Sequence, residues 1–270
     1  MTAIDAAVIL FGLVIGSFLN VCIHRIPRGE SVVLPSSRCP SCKNRIRPWH
    51  NIPLFSYLLL RGRCAHCKER ISPVYPAVEV LTALLFESAF LKYGWTAPFA
   101  IACVFFSLLI VLNFIDLFER LLPDVLTLSG TLMGLLCAPL QSAEFFRADP
   151  FLPEPSVWWM ACLHSVAGIL LGGGVLWLVA AVYLKLRKIE GMGFGDIKMM
   201  CMVGAFMGWR YAWLTIFVGS LLGAVIGSLY IYLRGKGQRY ELPFGTFLAV
   251  GAVLVALWGV KLLESYLKLL

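Results

Sequence analysis

Two aspartates stand where apolar runs meet charged loops. Asp116 closes the run from Pro98 to Ile115, and Asp196 ends Gly193-Phe194-Gly195-Asp196, just ahead of another apolar stretch. Charge in or near a bilayer core is costly, so such residues mark a reaction site, an ion path or a helix end. Two carboxylates brought within hydrogen-bond reach share a proton and titrate as a unit. One then takes a proton from water while the other donates to a scissile carbonyl oxygen. That is the chemistry of an aspartyl protease, and Asp116 and Asp196 are its candidate catalytic pair. Helix dipoles divide the roles: a helix N-terminus near Phe194 favours the charged form of Asp196, and the helix end near Ile115 favours a protonated Asp116. This makes Asp196 the base and Asp116 the acid.

Each acid has a plainer reading. Asp196 could cap the helix that follows, with Lys198 a nearby solvated charge, and Asp116 could pair with Arg120 one turn on. Asp124, in the connection Leu117 to Asp124, rivals Asp116, but it directly precedes Val125-Leu126-Thr127-Leu128 and has the natural job of an N-cap. Asp116 has no such job at a helix C-terminus. Glycines 191, 193 and 195 let another part of the chain approach the Asp196 carboxylate closely.

A second constellation is built from cysteine. Cys39-Pro40-Ser41-Cys42 and Cys64-Ala65-His66-Cys67 are separated by 21 residues, close to the spacing of zinc ribbons in which two knuckles give four thiolates to one tetrahedral ion. Two disulfides or a redox dithiol compete with this reading, but a cytoplasmic loop lacking a βαβ pattern disfavours both. Four thiols leave no open position, so the Zn2+ is structural, His66 is a spacer, and the loop relies on metal to fold. Lys43 and Lys68 follow the knuckles and offset thiolate charge. Cys22, Cys103, Cys137, Cys162 and Cys201 lie in or beside apolar runs and pack there.

The elements that position these groups are membrane helices. The chain has 270 residues, 60% of them hydrophobic and 14% charged, with a mean hydropathy of +0.83. That leaves far too little polar surface for a soluble globule. Apolar runs lie at Asp5–Cys22, Pro76–Leu91, Pro98–Ile115, Val125–Leu140, Val157–Leu184, Phe194–Trp209, Tyr211–Leu233 and Thr246–Leu263. They predict an all-α polytopic membrane protein with about eight transmembrane helices and a small zinc-ribbon-like loop domain. The sixth run is continuously apolar only from Met199 to Trp209, suiting a tilted or partly re-entrant helix. Gly172-Gly173-Gly174 reads as a close helix contact, since a phosphate cradle would follow a strand. Glu79, Asn20 and Asn113 either line the site or join helices, and Glu87 and His164 lie toward the opposite side.

Basic residues orient these spans. With the loop from Ile23 to Tyr75 inside, 18 of the 23 Lys and Arg residues fall on the cytoplasmic side and five outside, as the positive-inside rule expects. Both termini then face out, and both Asp116 and Asp196 sit at the cytoplasmic surface. The net charge of +8 reflects this topology and attraction to anionic membrane lipid, not nucleic-acid binding. Arg25 and Arg28 follow the first apolar run and none precedes it, so that run is a retained helix rather than a signal peptide. The organisation expected is a first transmembrane helix over 1–22, a four-cysteine zinc-binding loop domain over 23–75 and a membrane-embedded core over 76–270.

These residues resemble the bacterial type IV prepilin peptidases, the prepilin leader peptidase/N-methyltransferase family. The pieces are Gly16-Ser17-Phe18-Leu19-Asn20-Val21 with Arg25-Ile26-Pro27, both knuckles with Asn51-Ile52-Pro53 between them, and Tyr75-Pro76 with Glu79. Ile115-Asp116 with Leu121-Leu122-Pro123-Asp124, Glu190 to Lys198, and Pro243-Phe244-Gly245 complete the set. Phe118-Glu119 and Thr246 look unlike what many members carry there. The resemblance implies that Asp116 and Asp196 are the catalytic aspartates. It implies cleavage of type IV prepilins and pseudopilins on the cytoplasmic side of the bacterial inner membrane, after a glycine that precedes the hydrophobic pilin helix. It also implies methylation of the new N-terminal residue with S-adenosylmethionine, for which no binding residues can be named, because no strand, glycine-rich turn and helix are visible. Other readings are a proton-coupled transporter using the boundary acids, a zinc docking module on an anchor, and a peptidase without methyl transfer. Acids at one edge rather than the midplane count against transport.

Overall fold

A computed structural model describes residues 2–141, 158–189, 191–234 and 243–267. Arg147, Glu190, Lys236, Arg239 and Lys268, used above in the charge asymmetry or the resemblance, lie outside the described residues. Every long element among the described residues is a helix: α1 (Ala3–Arg25), the short α2 (Phe55–Leu59), α3 (Val74–Tyr93), α4 (Ala97–Glu119), α5 (Asp124–Gln141), α6 (Trp158–Arg187), α7 (Phe194–Arg234) and α8 (Phe244–Leu267). Six of them are long and apolar enough to cross a membrane, and the apolar stretch of α5, Asp124–Leu140, is shorter. Sequence reading counts eight runs because α7 holds two of them. Its helical path is interrupted at Gly208 (φ 74°, ψ 175°), between the runs that end at Trp209 and begin at Tyr211. Only glycine enters that backbone region without strain.

The chain divides into two compact units, Met1–Val111 and Leu112–Leu270, with the division inside α4. In the first, Thr2 and Asp5 form a capping box that starts α1. The helix then packs on α3 through Gly12 and Gly16: a Cβ on either would lie 2.6 Å from the Cα of Ala83 or Glu79. Glycine is required there by close backbone approach, the usual way helices meet in a bilayer. Asn20 reinforces the contact, donating to the Tyr75 carbonyl at 3.0 Å.

In the second unit, α7 packs against α5, α6 and α8. The closest approach joins α6 to α7, where a Cβ on Gly168 would come within 2.1 Å of the Gly204 carbonyl and one on Gly204 within 2.0 Å of that of Gly168. The expected glycine contact in α6 holds for Gly172, against the Met200 carbonyl, and Gly173, against Cys201 Sγ, whereas Gly174 faces open space. Met199, Met200, Met202 and Val203 are fully buried, while Trp177, Trp213 and Phe217 stay on the outside. Apolar side chains left outward on long apolar helices suit lipid as the surrounding solvent.

Candidate active site

Asp116 lies in the last turn of α4, and the backbone reverses just after it: Arg120 adopts φ 52° and its N–H donates to the Asp116 carbonyl at 3.0 Å. Below the aspartate, Leu112 and Ile115 are completely buried. Asp196 lies in the first turn of α7, where its N–H donates to the Gly193 carbonyl at 3.2 Å. Both carboxylate residues are buried, at 6% and 7% exposure. They are 80 residues apart in sequence yet belong to one unit.

Gly245, at the start of α8, measures how close the two acids come. A Cβ built on it would lie 2.9 Å from Asp196 Oδ1 and 3.0 Å from Asp116 Oδ2, so those oxygens are no farther apart than the two distances laid end to end. The same Cβ would lie 3.0 Å from Leu122 Cδ1. Gly195 is needed for a related reason, since a side chain there would meet Leu122 Cβ at 2.9 Å. The glycine before Asp196 therefore accommodates the Leu121-Leu122-Pro123 segment rather than a left-handed turn.

Thr246 is the functional neighbour that sequence reasoning missed. Its backbone N–H donates to Asp116 Oδ2 at 2.6 Å and its hydroxyl donates to the same oxygen at 2.9 Å. The only signal was its place beside Pro243-Phe244-Gly245, where it registered as a departure from the family pattern. One turn deeper on α4, Asn113 Oδ1 is buried without a hydrogen-bond partner.

Asp124, the rival acid, is used differently. Lys198 Nζ reaches both of its oxygens at 2.7 Å, and the Asp124 side chain is 59% exposed. It begins α5 and takes part in an ion pair, where sequence reading expects an N-cap; Lys198, expected as a solvated charge, is its partner. An acid that is exposed and neutralised is poorly suited to share a proton with another carboxylate.

The four knuckle cysteines converge in the first unit. The Sγ atoms of Cys39, Cys42, Cys64 and Cys67 all lie within 4.8 Å of one another, and Cys39 and Cys67 are 3.8 Å apart. Four sulfurs at about 2.3 Å from a tetrahedral ion are spaced about 3.8 Å along each edge. The cluster therefore has the size of a metal site, with a separation far too long for a disulfide. The two knuckles repeat one geometry. Cys39 N–H donates to the Asn44 carbonyl and Cys64 N–H to that of Glu69, while Lys43 and Lys68 both adopt left-handed backbone conformations and donate back to the first cysteine of their knuckle. The Cys42 backbone is the chief reason the Cys39 thiol is held down to about 7. The Glu69 backbone also lowers Cys67, but partial desolvation and the three neighbouring thiols outweigh it and push that thiol up to about 11.

Comparison with known proteins decides the family. The model of the Bacterial Peptidase A24 N-terminal domain matches residues 10–93, and that of the Type IV leader peptidase family matches residues 103–228. The chain is 36% identical over 283 residues to the prepilin leader peptidase/N-methyltransferase of Pseudomonas aeruginosa, covering 96% of this chain and 92% of that one. The chain belongs to the type IV leader peptidase family. Proteins of the same name from Legionella pneumophila and Xanthomonas campestris are 34% and 32% identical, over 96% and 95% of this chain and 92% of each relative. No solved structure matches the chain. The first family match contains all four knuckle cysteines and the second contains both aspartates.

Proposed function

We propose that this leader peptidase cleaves the short basic leader from type IV prepilins and pilin-like secretion proteins, with Asp116 and Asp196 as its catalytic pair. The observation that carries this reading is the approach of both buried carboxylates to the single point that a Gly245 Cβ would fill. Water held between them attacks the carbonyl carbon after the leader glycine. One carboxylate accepts a proton from that water and the other donates its proton to the carbonyl oxygen; the tetrahedral adduct then collapses, and the new amine leaves with a proton from the pair.

Hydrogen bonding divides the roles against the helix dipoles. A dipole at a helix end contributes about 0.3–1 kcal/mol, while each hydrogen bond to a charged group contributes about 1.5–3 kcal/mol. Two donors meet on Asp116 Oδ2, so Asp116 is the carboxylate that takes the proton from water and Asp196 is the acid. This reverses the assignment drawn from the sequence.

Zn2+ suits the four-thiol cluster, with Cys39, Cys42, Cys64 and Cys67 as ligands and no position left open for catalysis. The names of the relatives support a second step, methylation of the new N-terminus. S-adenosylmethionine supplies an electrophilic methyl group for that amine. The asymmetry of basic residues supports a multi-pass inner-membrane protein with the aspartates and the cysteine loop toward the cytoplasm and both termini outside. The test is to incubate the purified protein with a prepilin, with and without S-adenosylmethionine, and read product masses. The expected products are a chain cut after the leader glycine and, with the methyl donor, the same chain carrying one added methyl group. An intact prepilin would overturn the reading and return the boundary acids to transport.

A further inference from the structure

One apolar side chain stands against the aspartate pair and has no part in its proton transfers. It belongs to Leu122, in the connection that joins α4 to α5 over 120–123. Leu121 beside it is 47% exposed, whereas Leu122 turns inward and is 7% exposed. Two glycines receive it. A Cβ on Gly195 would lie 2.9 Å from Leu122 Cβ and 3.3 Å from its Cδ1, and a Cβ on Gly245 would lie 3.0 Å from the same Cδ1. Each glycine directly precedes a residue of the site, Asp196 in one case and in the other Thr246, which holds Asp116. The Gly245 point is also 2.9 Å from Asp196 Oδ1 and 3.0 Å from Asp116 Oδ2. Leu122 Cδ1 is therefore no farther from either oxygen than two such distances laid end to end.

This is the space beside a scissile bond. Attack needs the carbonyl carbon at roughly 3–3.5 Å from the water oxygen, and the Cα of the residue that owns the carbonyl is one bond of about 1.5 Å beyond. The side chain of that residue starts within about 5 Å of the water between the acids, the range in which the leucine methyl stands. The connection over 120–123 is cytoplasmic in the topology drawn from the basic residues, as is the leader, whereas the residue after the cut begins an apolar helix and enters the bilayer. Leu122 accordingly faces the leader end of the bond. Glycine in that place brings no Cβ. Alanine would press a methyl on Leu122, and serine would also bury a hydroxyl against a group that cannot hydrogen-bond it.

We propose that Leu122 is the residue that selects glycine at the end of the leader, by filling the space that any longer side chain needs. The inference rests on the reading of the chain as a prepilin peptidase and assigns the specificity of that site. The contrasting role is plain packing, in which Leu122 only keeps bulk water from the carboxylates. Loss of packing alters the cutting of every leader alike, while loss of selection alters the ratio between leaders.

The ratio is the measurement. Synthetic prepilins whose leaders end in glycine, alanine or serine are incubated with the full chain in detergent, and kcat/KM for each is taken from the time course of product masses. Wild type should cut the glycine leader at least about tenfold better than the alanine leader, the scale on which one carbon discriminates in a closed apolar site, and should refuse serine at least as strongly. Leu122→Ala should lower the glycine-to-alanine ratio at least about fivefold, whatever becomes of the absolute rates. A smaller change with helix content intact would overturn the proposal, as would equal cutting of glycine and alanine leaders by wild type. Should Leu122→Ala lose helix content, Leu122→Val, the smaller truncation, decides by the same sign: a lowered ratio upholds the proposal and an unchanged one overturns it. A wild-type chain that cuts none of the three leaders refutes the peptidase reading itself. One that cuts the glycine leader, with variants that keep its ratio, leaves that reading standing and removes only the role of Leu122.

Discussion

Gly245→Ala is the smallest change that reaches both aspartates. The backbone of Gly245 lies outside the left-handed region, so alanine is allowed there, and at the start of α8 it is the better helix former by up to about 1 kcal/mol. Its methyl group, however, would lie 2.9 Å from Asp196 Oδ1, 3.0 Å from Asp116 Oδ2 and 3.0 Å from Leu122 Cδ1, while ordinary contact begins at 3.4 Å. The three neighbours approach from different elements, so relief from one contact presses on another. The carboxylates must part by several tenths of an ångström, and the methyl takes space that water and the scissile carbonyl need. Misplacement on the scale of 1 Å costs roughly 100-fold in rate. We therefore expect kcat/KM for prepilin cleavage to fall about 100-fold, with a melting temperature within a few degrees of wild type because helix propensity offsets the strain. The assay is the rate of leader removal from a synthetic prepilin in detergent, beside Gly174→Ala, whose added methyl meets nothing within 4 Å and should leave the rate unchanged. Cleavage by Gly245→Ala within about threefold of wild type would refute the argument that this glycine keeps the space between the acids open.

Three further outcomes follow from the same geometry. Thr246→Val keeps the backbone donor and loses the hydroxyl 2.9 Å from Asp116 Oδ2; at about 1.5–3 kcal/mol for a hydrogen bond to a charged group, kcat should fall roughly 10- to 100-fold, with recovery in Thr246→Ser, as steady-state cleavage rates will show. Asp124→Asn breaks an exposed ion pair worth about 0.2–1 kcal/mol, so both the melting temperature and the cleavage rate should stay close to wild type. Metal analysis should find one zinc per chain, lost in Cys39→Ser together with resistance of the 23–75 loop to limited proteolysis; two disulfides with little metal would contradict the structural-zinc claim.

The parts of the site legible in the sequence are those written in local patterns. Apolar runs mark helices, paired Cys-x-x-Cys spacing marks the knuckles, and an acid at the end of an apolar run is conspicuous because its burial is expensive. Gly172 and Gly173 announce close helix packing, although Gly174, identical in sequence context, faces open space. What could not be read depends on partners far apart in the chain. Thr246 lies 130 residues from the aspartate it holds, and Lys198 lies 74 from Asp124, so neither bond has a local signature. The proposed acid and base roles differ from those read in the sequence for the same reason: helix dipoles follow from sequence position, whereas the hydrogen bonds to Asp116 come from α8. Gly208 marks the boundary between the sixth and seventh runs, but sequence alone does not show that their helices continue into one another across it.

The most direct test of the central claim is leader removal by Asp116→Asn and Asp196→Asn, read as product masses beside wild type and Asp124→Asn. The catalytic pair requires that each of the first two abolish cleavage after the leader glycine, with helix content intact, while the third still cuts. Cleavage surviving in either Asp116→Asn or Asp196→Asn would contradict it.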